Sequence, residues 1–63
     1  MIVSLAAARV NAELTQVEAA RAVDVTESTL ISWEKGRKEP PFGKLLALCD
    51  LYGCTPNDIR WDR

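Results

Sequence analysis

The stretch of residues 14–36 constrains the fold of this chain more than any other part of the sequence. Thr15 followed by Glu18 is a capping-box pattern, in which two side chains satisfy free backbone amides at the start of a helix. A second helix is expected to begin at Thr26 and to stop at Gly36, because glycine best tolerates the left-handed conformation that follows many helices. Residues 14–36 therefore predict two short helices in close succession.

The connection between these two helices is very short, with Asp24 as the single polar residue between Val23 and Val25. So short a connection forces the helices to cross steeply, which is the geometry of a helix-turn-helix unit. In such a unit the second helix faces outward and can lie in the major groove of DNA. The turn thus points to a nucleic-acid-binding element.

The length and composition of the chain limit it to one small globular domain, residues 1–63. A chain of 63 residues is near the lower size for folding alone, and 48% hydrophobic residues are too many for a disordered chain. No apolar run is long enough to span a membrane. Residues 1–10 lack the basic start and the cleavage site of a signal peptide, and Arg9 interrupts them. We therefore expect a cytoplasmic protein without a targeting segment.

The charge of the chain gives mixed evidence about nucleic acid. A net charge of −1 and a pI of about 5.2 argue mildly against it, because DNA-binding proteins often carry a basic surface. However, four cations cluster in one segment, opposed only by Glu39. They are Lys35, Arg37, Lys38 and Lys44. A local patch determines phosphate contact more than the total charge does, although an ordinary solvated loop has the same composition.

The residues that usually carry catalysis or bind metals are scarce. The chain has no histidine, and Cys49 and Cys54 are its two cysteines. A structural zinc site needs about four Cys or His ligands, so no metal is expected, and the two thiols are interpreted as reduced core residues. The three glycines are isolated and form no phosphate-binding loop. We expect no enzyme activity, no cofactor and no small-molecule ligand.

The hydrophobic pattern predicts about five helices and no strands. The helices are expected near residues 4–11, 16–23, 27–35 and 42–52, with a last turn at 56–60. The predicted core is Leu5, Leu14, Val17, Ala20, Val23, Leu30, Trp33, Leu45, Leu48 and Ile59. Further inward-facing candidates are Ala8, Ala19, Cys49 and Tyr52. Trp33 follows Leu30 at the spacing of one helical face, so it is interpreted as a core residue and not as a stacking surface.

These features together resemble the Cro/CI-type (XRE) helix-turn-helix family of phage and bacterial repressors. The matching segments are LTQ at residues 14–16, Ala20, the turn at residues 23–26, STLISWEKG at residues 28–36, Pro40, and LYG at residues 51–53. The resemblance extends over about residues 5–59. It implies an all-α, five-helix, lambda-repressor-like domain that binds palindromic operators in double-stranded DNA as a homodimer.

By this resemblance, one set of residues would face the bases and another would approach the phosphates. The base-facing set is Thr26, Glu27, Ser28, Ile31 and Ser32. The phosphate set is Thr15, Gln16, Lys35, Arg37 and Lys38, to which the basic cluster adds Lys44. Gln16 would also brace the recognition helix, and Ile31 would touch a thymine methyl group. Helix capping stays open as the plainer role of Gln16 and Thr26. A solvated helix face is the corresponding alternative for Ser28 and Ser32.

The resemblance also pairs Arg9 with Glu34 in a largely buried ion pair between the first and third helices. Three other residues depart from the family pattern. The family commonly has Gly at the position of Asp24, and Gly or Asn at the position of Glu13. Glu27 places a negative charge on the base-facing surface, where it can accept from cytosine N4 but also repels phosphates.

Two classes of function are compatible with the sequence. The first is a sequence-specific transcriptional regulator, with Tyr52, Ile59 and Trp61 as the expected dimer surface. The second is a protein-interaction module on the same fold, which would bind a protein partner through the third helix or the Trp61 region. The low pI favours the second class, whereas Gln16 and the basic cluster favour the first.

Overall fold

A computed structural model describes residues 2–60 of the chain. In chain order the elements are β1 (Val3–Ser4), α1 (Leu5–Asn11), α2 (Gln16–Ala22), α3 (Glu27–Glu34), α4 (Phe42–Tyr52), a 3-10 turn (Pro56–Asp58) and β2 (Ile59–Arg60). The four α-helices agree with the predicted ones to within a residue at each end. Trp61, expected at the dimer surface, lies outside the described residues.

The segment after α4 differs from the expectation of a fifth helix and no strands. Residues 56–60, expected as a helical turn, consist of the 3-10 turn followed by β2, so four α-helices are present in the described part of the chain. The prediction of no strands is wrong, because β1 and β2 pair in parallel, with Val3 opposite Ile59 and Ser4 opposite Arg60. Two-residue strands have no measurable periodicity, and their pairing joins segments that are far apart in the sequence.

The first three helices begin at hydroxyl side chains. Ser4 Oγ accepts from the backbone N–H of Ala7 at 3.0 Å at the start of α1. At the start of α2, Thr15 Oγ1 accepts from the N–H of Glu18 at 3.1 Å, and Glu18 accepts from the N–H of Thr15 at 2.9 Å. This is the predicted capping box, and the hydrogen bonds from Thr15 lower the pKa of the exposed Glu18 carboxyl. The caps fix where each helix begins.

All four helices end in the same way, with a residue in the left-handed conformation. These residues are Glu13 (φ 61), Asp24 (φ 60), Gly36 (φ 73) and Gly53 (φ 73). The next residue donates its N–H to a carbonyl five residues earlier, over 2.9 to 3.2 Å. These pairs are Leu14 to Arg9, Val25 to Ala20, Arg37 to Ser32 and Cys54 to Cys49. The pattern is that of the Schellman motif, which satisfies the last free carbonyls of a helix and turns the chain sharply.

The core is formed by all four helices and β2. The buried residues are Leu5, Ala8, Ala19, Ala20, Val23, Leu30, Trp33, Leu45, Leu48, Cys49, Tyr52 and Ile59. Two members of the predicted core differ: Leu14 is only partly buried against it, and Val17 is 40% exposed. The prediction for Val17 is wrong because the inward face of α2 is centred on Ala19, Ala20 and Val23. Gln16, one turn earlier, occupies the inward column instead.

The small side chains of α2 position α3. Ala19 and Ala20 are 0% and 2% exposed, and α2 packs against α3. Side chains this small let α2 approach its neighbours closely. Leu30 and Trp33 then fill the space between α3 and the rest of the core. Among the described residues, no helix is both long and apolar enough to cross a membrane.

Candidate nucleic-acid interface

The outward face of α3 is defined by the residues that the helix buries. Leu30 is fully buried and Trp33 is 5% exposed, and together they fix the rotation of α3 about its axis. Glu27 and Ser28 are exposed at its N-terminal end, and Ser28 lies on the side opposite Leu30. Ile31 and Ser32, one turn later, are partly buried. The predicted base-facing residues of α3 therefore lie on one side of the helix, as a period of 3.6 residues requires.

Thr26 acts as the N-cap of α3. Its hydroxyl accepts from the backbone N–H of Thr29 at 3.1 Å and lies 2.8 Å from the Thr29 hydroxyl. The side chain is exposed, yet its oxygen is already used in the cap. Capping is thus the role that the described contacts give to Thr26, and it holds the outward residues that follow at the start of a well-formed helix.

Glu34, at the end of α3, is the centre of a polar network that joins three helices. Its Oε2 accepts from Arg9 Nε at 2.7 Å, and its Oε1 accepts from Gln16 Nε2 at 3.0 Å. Arg9 also donates through Nη1 to the carbonyl of Leu14 at 2.8 Å. The side chains of Arg9 and Glu34 are 14% and 5% exposed. Both carboxylate oxygens have donors, so the buried charge is well solvated by the protein itself.

Gln16 is placed by this network beside the end of α3. The amide nitrogen of Gln16 is bonded to Glu34, so α2 begins next to the point where α3 ends. Thr15 precedes it as the exposed N-cap of α2. A helix N-terminus has free backbone N–H groups and a partial positive charge, which suit a phosphate. The Glu34 contact is a bracing role for Gln16 that does not depend on DNA.

The cations of the basic segment after α3 differ in their exposure and contacts. Lys35, Arg37 and Lys38 are exposed around Gly36, whose left-handed conformation turns the chain away from the helix. Lys44 differs, because its ammonium donates to the carbonyl of Val23 at 2.7 Å and thereby caps the end of α2. No local sequence pattern predicts this contact, because it joins residues far apart in the chain.

Two of the three residues expected at the dimer surface are buried in this fold. Tyr52 and Ile59 are 9% and 6% exposed and belong to the core of the single chain, which corrects the sequence-based expectation. β2 draws Ile59 inward by pairing with Val3. The large exposed apolar residues that the structure describes are Ile2, Val10, Val17, Phe42, Leu46 and Leu51.

A shallow cleft at the end of α4 is a feature that the sequence did not indicate. It has a volume of about 240 Å³ and is lined by Val3, Ala8, Asn11, Tyr52, Gly53, Cys54 and Asp58. The Tyr52 hydroxyl is buried without a hydrogen-bond partner among the described residues. Burial, and then the negative charge of Glu34, raise the pKa of Tyr52 to about 12.

Two short helices, α2 and α3, are joined by a tight turn and packed together, with exposed residues on α3 and exposed cations directly after it. This arrangement is that of helix-turn-helix DNA-binding proteins. Comparison with family models agrees, since residues 5–59 match the helix-turn-helix family. The chain therefore belongs to the Cro/CI-type (XRE) helix-turn-helix family, whose members are DNA-binding regulators and typically not enzymes. No curated protein and no solved structure matches it.

Proposed function

We propose that this protein is a repressor-like transcriptional regulator that recognises a specific operator through α3 in the major groove. The observation that carries the proposal is the orientation of α3. Burial of Leu30 and Trp33 leaves Glu27 and Ser28 on the outside, with Ser32 one turn further along the same side. A helix presented in this way fits the width of the B-DNA major groove. The regulator would act in the cytoplasm, where bacterial and phage DNA is read.

The base-facing side chains suit hydrogen-bond readout. The hydroxyls of Ser28 and Ser32 can donate to or accept from base edges, and Ile31 offers an apolar contact for a thymine methyl group. Glu27 accepts from cytosine N4 in this arrangement. Its charge also repels the phosphates, so it favours specificity at the expense of affinity.

Phosphate contacts would come from both ends of the helix-turn-helix unit. Lys35, Arg37 and Lys38 are exposed directly after α3. The N-terminus of α2, which Thr15 caps, adds the backbone N–H of Gln16, whereas the N–H of Thr15 already donates to Glu18. These contacts hold the register of the protein on the duplex and carry no sequence information themselves. Lys44 contributes mainly through its positive charge, because its ammonium also bonds the Val23 carbonyl.

The proposed form on DNA is a symmetric homodimer on a palindromic operator. Helix-turn-helix dimers bind half-sites about 34–36 Å apart, one turn of B-DNA. The described part of one chain measures 27 Å in its longest direction and presents one recognition helix. Two copies are therefore needed to read both half-sites.

The test begins with salt-dependent binding to duplex DNA, measured for the wild type and two charge variants. Lys38→Ala should weaken binding to all sequences and reduce the slope of log K against log salt concentration by about one. Arg21→Ala is the matched control, because Arg21 is an exposed cation of α2 and lies outside the basic segment after α3. Equal slopes for the wild type and Lys38→Ala, or no binding of the wild type even at low salt, would contradict the proposal. In the second case, the same α3 surface would be tested for a protein partner.

A further inference from the structure

Cys49 and Cys54 occupy the two positions that a Schellman motif brings together at the end of α4. Gly53 lies between them with a φ of 73, and the N–H of Cys54 donates to the carbonyl of Cys49 at 2.9 Å. The side chains at these two positions of the motif commonly form a hydrophobic contact across the helix end. In this protein both side chains are free thiols.

The backbone geometry permits a disulfide between the two cysteines. The 2.9 Å hydrogen bond and standard bond lengths keep the two Cα atoms within about 6.8 Å of each other. Native disulfides span Cα separations of about 4.4–6.8 Å. The two thiols also interact with each other. Burial, and next the hydrogen bond with the Cys54 side chain, raise the pKa of Cys49 to about 12.

The two thiols differ in how a reagent can reach them. Cys49 is 2% exposed and belongs to the core. Cys54 is partly exposed and lines the cleft beside Asn11 and Asp58. A small reagent can therefore meet Cys54 first, with Cys49 directly behind it across the helix end.

We propose that Cys49 and Cys54 form a redox modification site, which a low-molecular-weight disulfide such as oxidised glutathione converts into an intramolecular disulfide. The Cys54 thiolate attacks one sulfur of the reagent, whose S–S bond breaks to release one thiol and leave a mixed disulfide. The Cys49 sulfur then attacks the Cys54 sulfur, loses its proton to solvent and displaces the second thiol. One reagent molecule is reduced by two electrons, and the two cysteines are oxidised by the same number.

The bond would lock the last turn of α4 onto the turn that leads to the 3-10 segment. A cross-link that fits the native geometry restricts the unfolded chain and so stabilises the fold. By thermodynamic linkage, the disulfide raises the equilibrium constant for folding by a certain factor, and folding raises the equilibrium constant for disulfide formation by that same factor. The high pKa of Cys49 makes the second step slow at neutral pH and faster as the pH rises, because the thiolate is the attacking form.

The test equilibrates the full chain with mixtures of reduced and oxidised glutathione, followed by acid quenching, mass spectrometry and thermal unfolding. We expect a monomeric product that has lost two hydrogens and has no free thiol, and that dithiothreitol reverses. The equilibrium constant for its formation should be at least about tenfold larger in native buffer than in concentrated guanidinium. The Tm of the oxidised chain should rise by about 5–15 °C.

Two variants separate the steps of the reaction. Cys54→Ser should form no intramolecular disulfide and should have the same Tm with and without oxidised glutathione. Cys49→Ala should stop at a glutathione adduct on Cys54, which shows that the cleft admits the reagent. The proposal is overturned if the wild type also stops at that adduct or forms only disulfide-linked dimers. It is equally overturned if native and denatured chains give the same equilibrium constant, or if oxidation lowers the Tm.

Discussion

Among the described residues, two other than glycine adopt the left-handed backbone conformation, which is sterically strained for them. Asp24 and Glu13 have φ values of 60 and 61 at positions where Gly36 and Gly53 serve the other two helices. A residue with a β-carbon pays a steric penalty in this conformation, which is smaller for Asp than for most residues. The two side chains are exposed, so replacing them would remove little packing.

Glycine at either position should therefore stabilise the protein. We expect Glu13→Gly to raise the free energy of unfolding by about 0.5–1 kcal/mol and Asp24→Gly by somewhat less, measured by guanidinium denaturation. Ala22→Gly is the matched control, because Ala22 is an exposed residue at the end of α2 in helical conformation and should lose up to about 1 kcal/mol. Destabilisation by Glu13→Gly as large as by the control would show that the left-handed conformation carries no strain.

Tyr52 provides a second test at the level of one residue. Burial and Glu34 raise its pKa from 10.0 to about 12, and it is the single tyrosine of the chain. Between these two values the unfolded chain has lost the phenol proton while the native chain keeps it. The free energy of unfolding therefore falls as the pH rises through this window. Below the window, ionisation of Tyr52 causes no change of stability with pH.

The tyrosinate absorbance of the native chain should accordingly titrate near pH 12, and that of the guanidinium-unfolded chain near pH 10. Circular dichroism at each pH shows whether the chain is still folded. A native titration near pH 10 with the helical signal intact would mean that the hydroxyl is solvated, contrary to the burial described above.

The arrangement of the elements depends on the network around Glu34. This one carboxylate accepts from Arg9 on α1 and from Gln16 on α2, while it belongs to α3. Arg9 further holds the loop between α1 and α2 through the carbonyl of Leu14. Three elements are thus joined at the end of the recognition helix, next to the basic segment that is proposed to contact phosphates.

Arg9→Ala should destabilise the protein by about 3–5 kcal/mol, because it leaves the Glu34 charge buried with Gln16 as its remaining donor. Replacing both Arg9 and Glu34 by apolar residues should recover much of this loss. Arg21→Ala, at an exposed arginine of α2, is the control and should change stability by less than about 0.5 kcal/mol. Thermal melting of the four proteins measures these differences. If Arg9→Ala melts within a degree or two of the wild type, the network contributes little to stability.

The helices themselves were largely predictable from local sequence, and the contacts between distant segments were not. Thr15 with Glu18, and Gly53 after Tyr52, act within one turn of their helices, so their patterns are visible in the chain. The β1–β2 pairing and the bond from Lys44 to Val23 join residues remote in sequence. No periodicity reports such contacts. The Arg9–Glu34 contact is equally remote, and it was expected through resemblance to the family alone.

The same distinction applies to the candidate interface. The orientation of α3 followed from the spacing of Leu30 and Trp33, a local pattern. By contrast, the expected role of Tyr52 and Ile59 in a dimer failed because helix packing and β2 place both in the core of one chain. Whether these two side chains are buried depends on elements distant in sequence, so a local sequence pattern does not predict it.

At the scale of the whole molecule, a small and slightly acidic protein must bind a polyanion. The net charge is −1, so long-range attraction to DNA is weak and the local cations of residues 35–38 must supply the electrostatic contact. A weak monomer contact is consistent with recognition by two copies, because the second half-site is then bound at high effective concentration.

We therefore expect two chains per duplex on a palindromic site. Analytical ultracentrifugation of the protein with such a duplex should give a complex of two protomers and one DNA. A duplex with a single half-site should bind one protomer, and more weakly. One chain per duplex on the palindromic site, even with excess protein, would contradict the proposed homodimer.

In the proposed complex, α3 reads base pairs while the segment after it contacts phosphates. The most direct measurement is the binding of Ser28→Ala, Glu27→Gln and Lys38→Ala to a panel of single-base changes in an operator selected from random DNA. The two α3 variants should alter which base pairs are tolerated, by about 1–3 kcal/mol for each lost base contact, and Glu27→Gln should also raise general affinity. Lys38→Ala should weaken every sequence nearly equally. If the α3 variants have the same preference profile as the wild type, α3 is not the element that reads the base pairs.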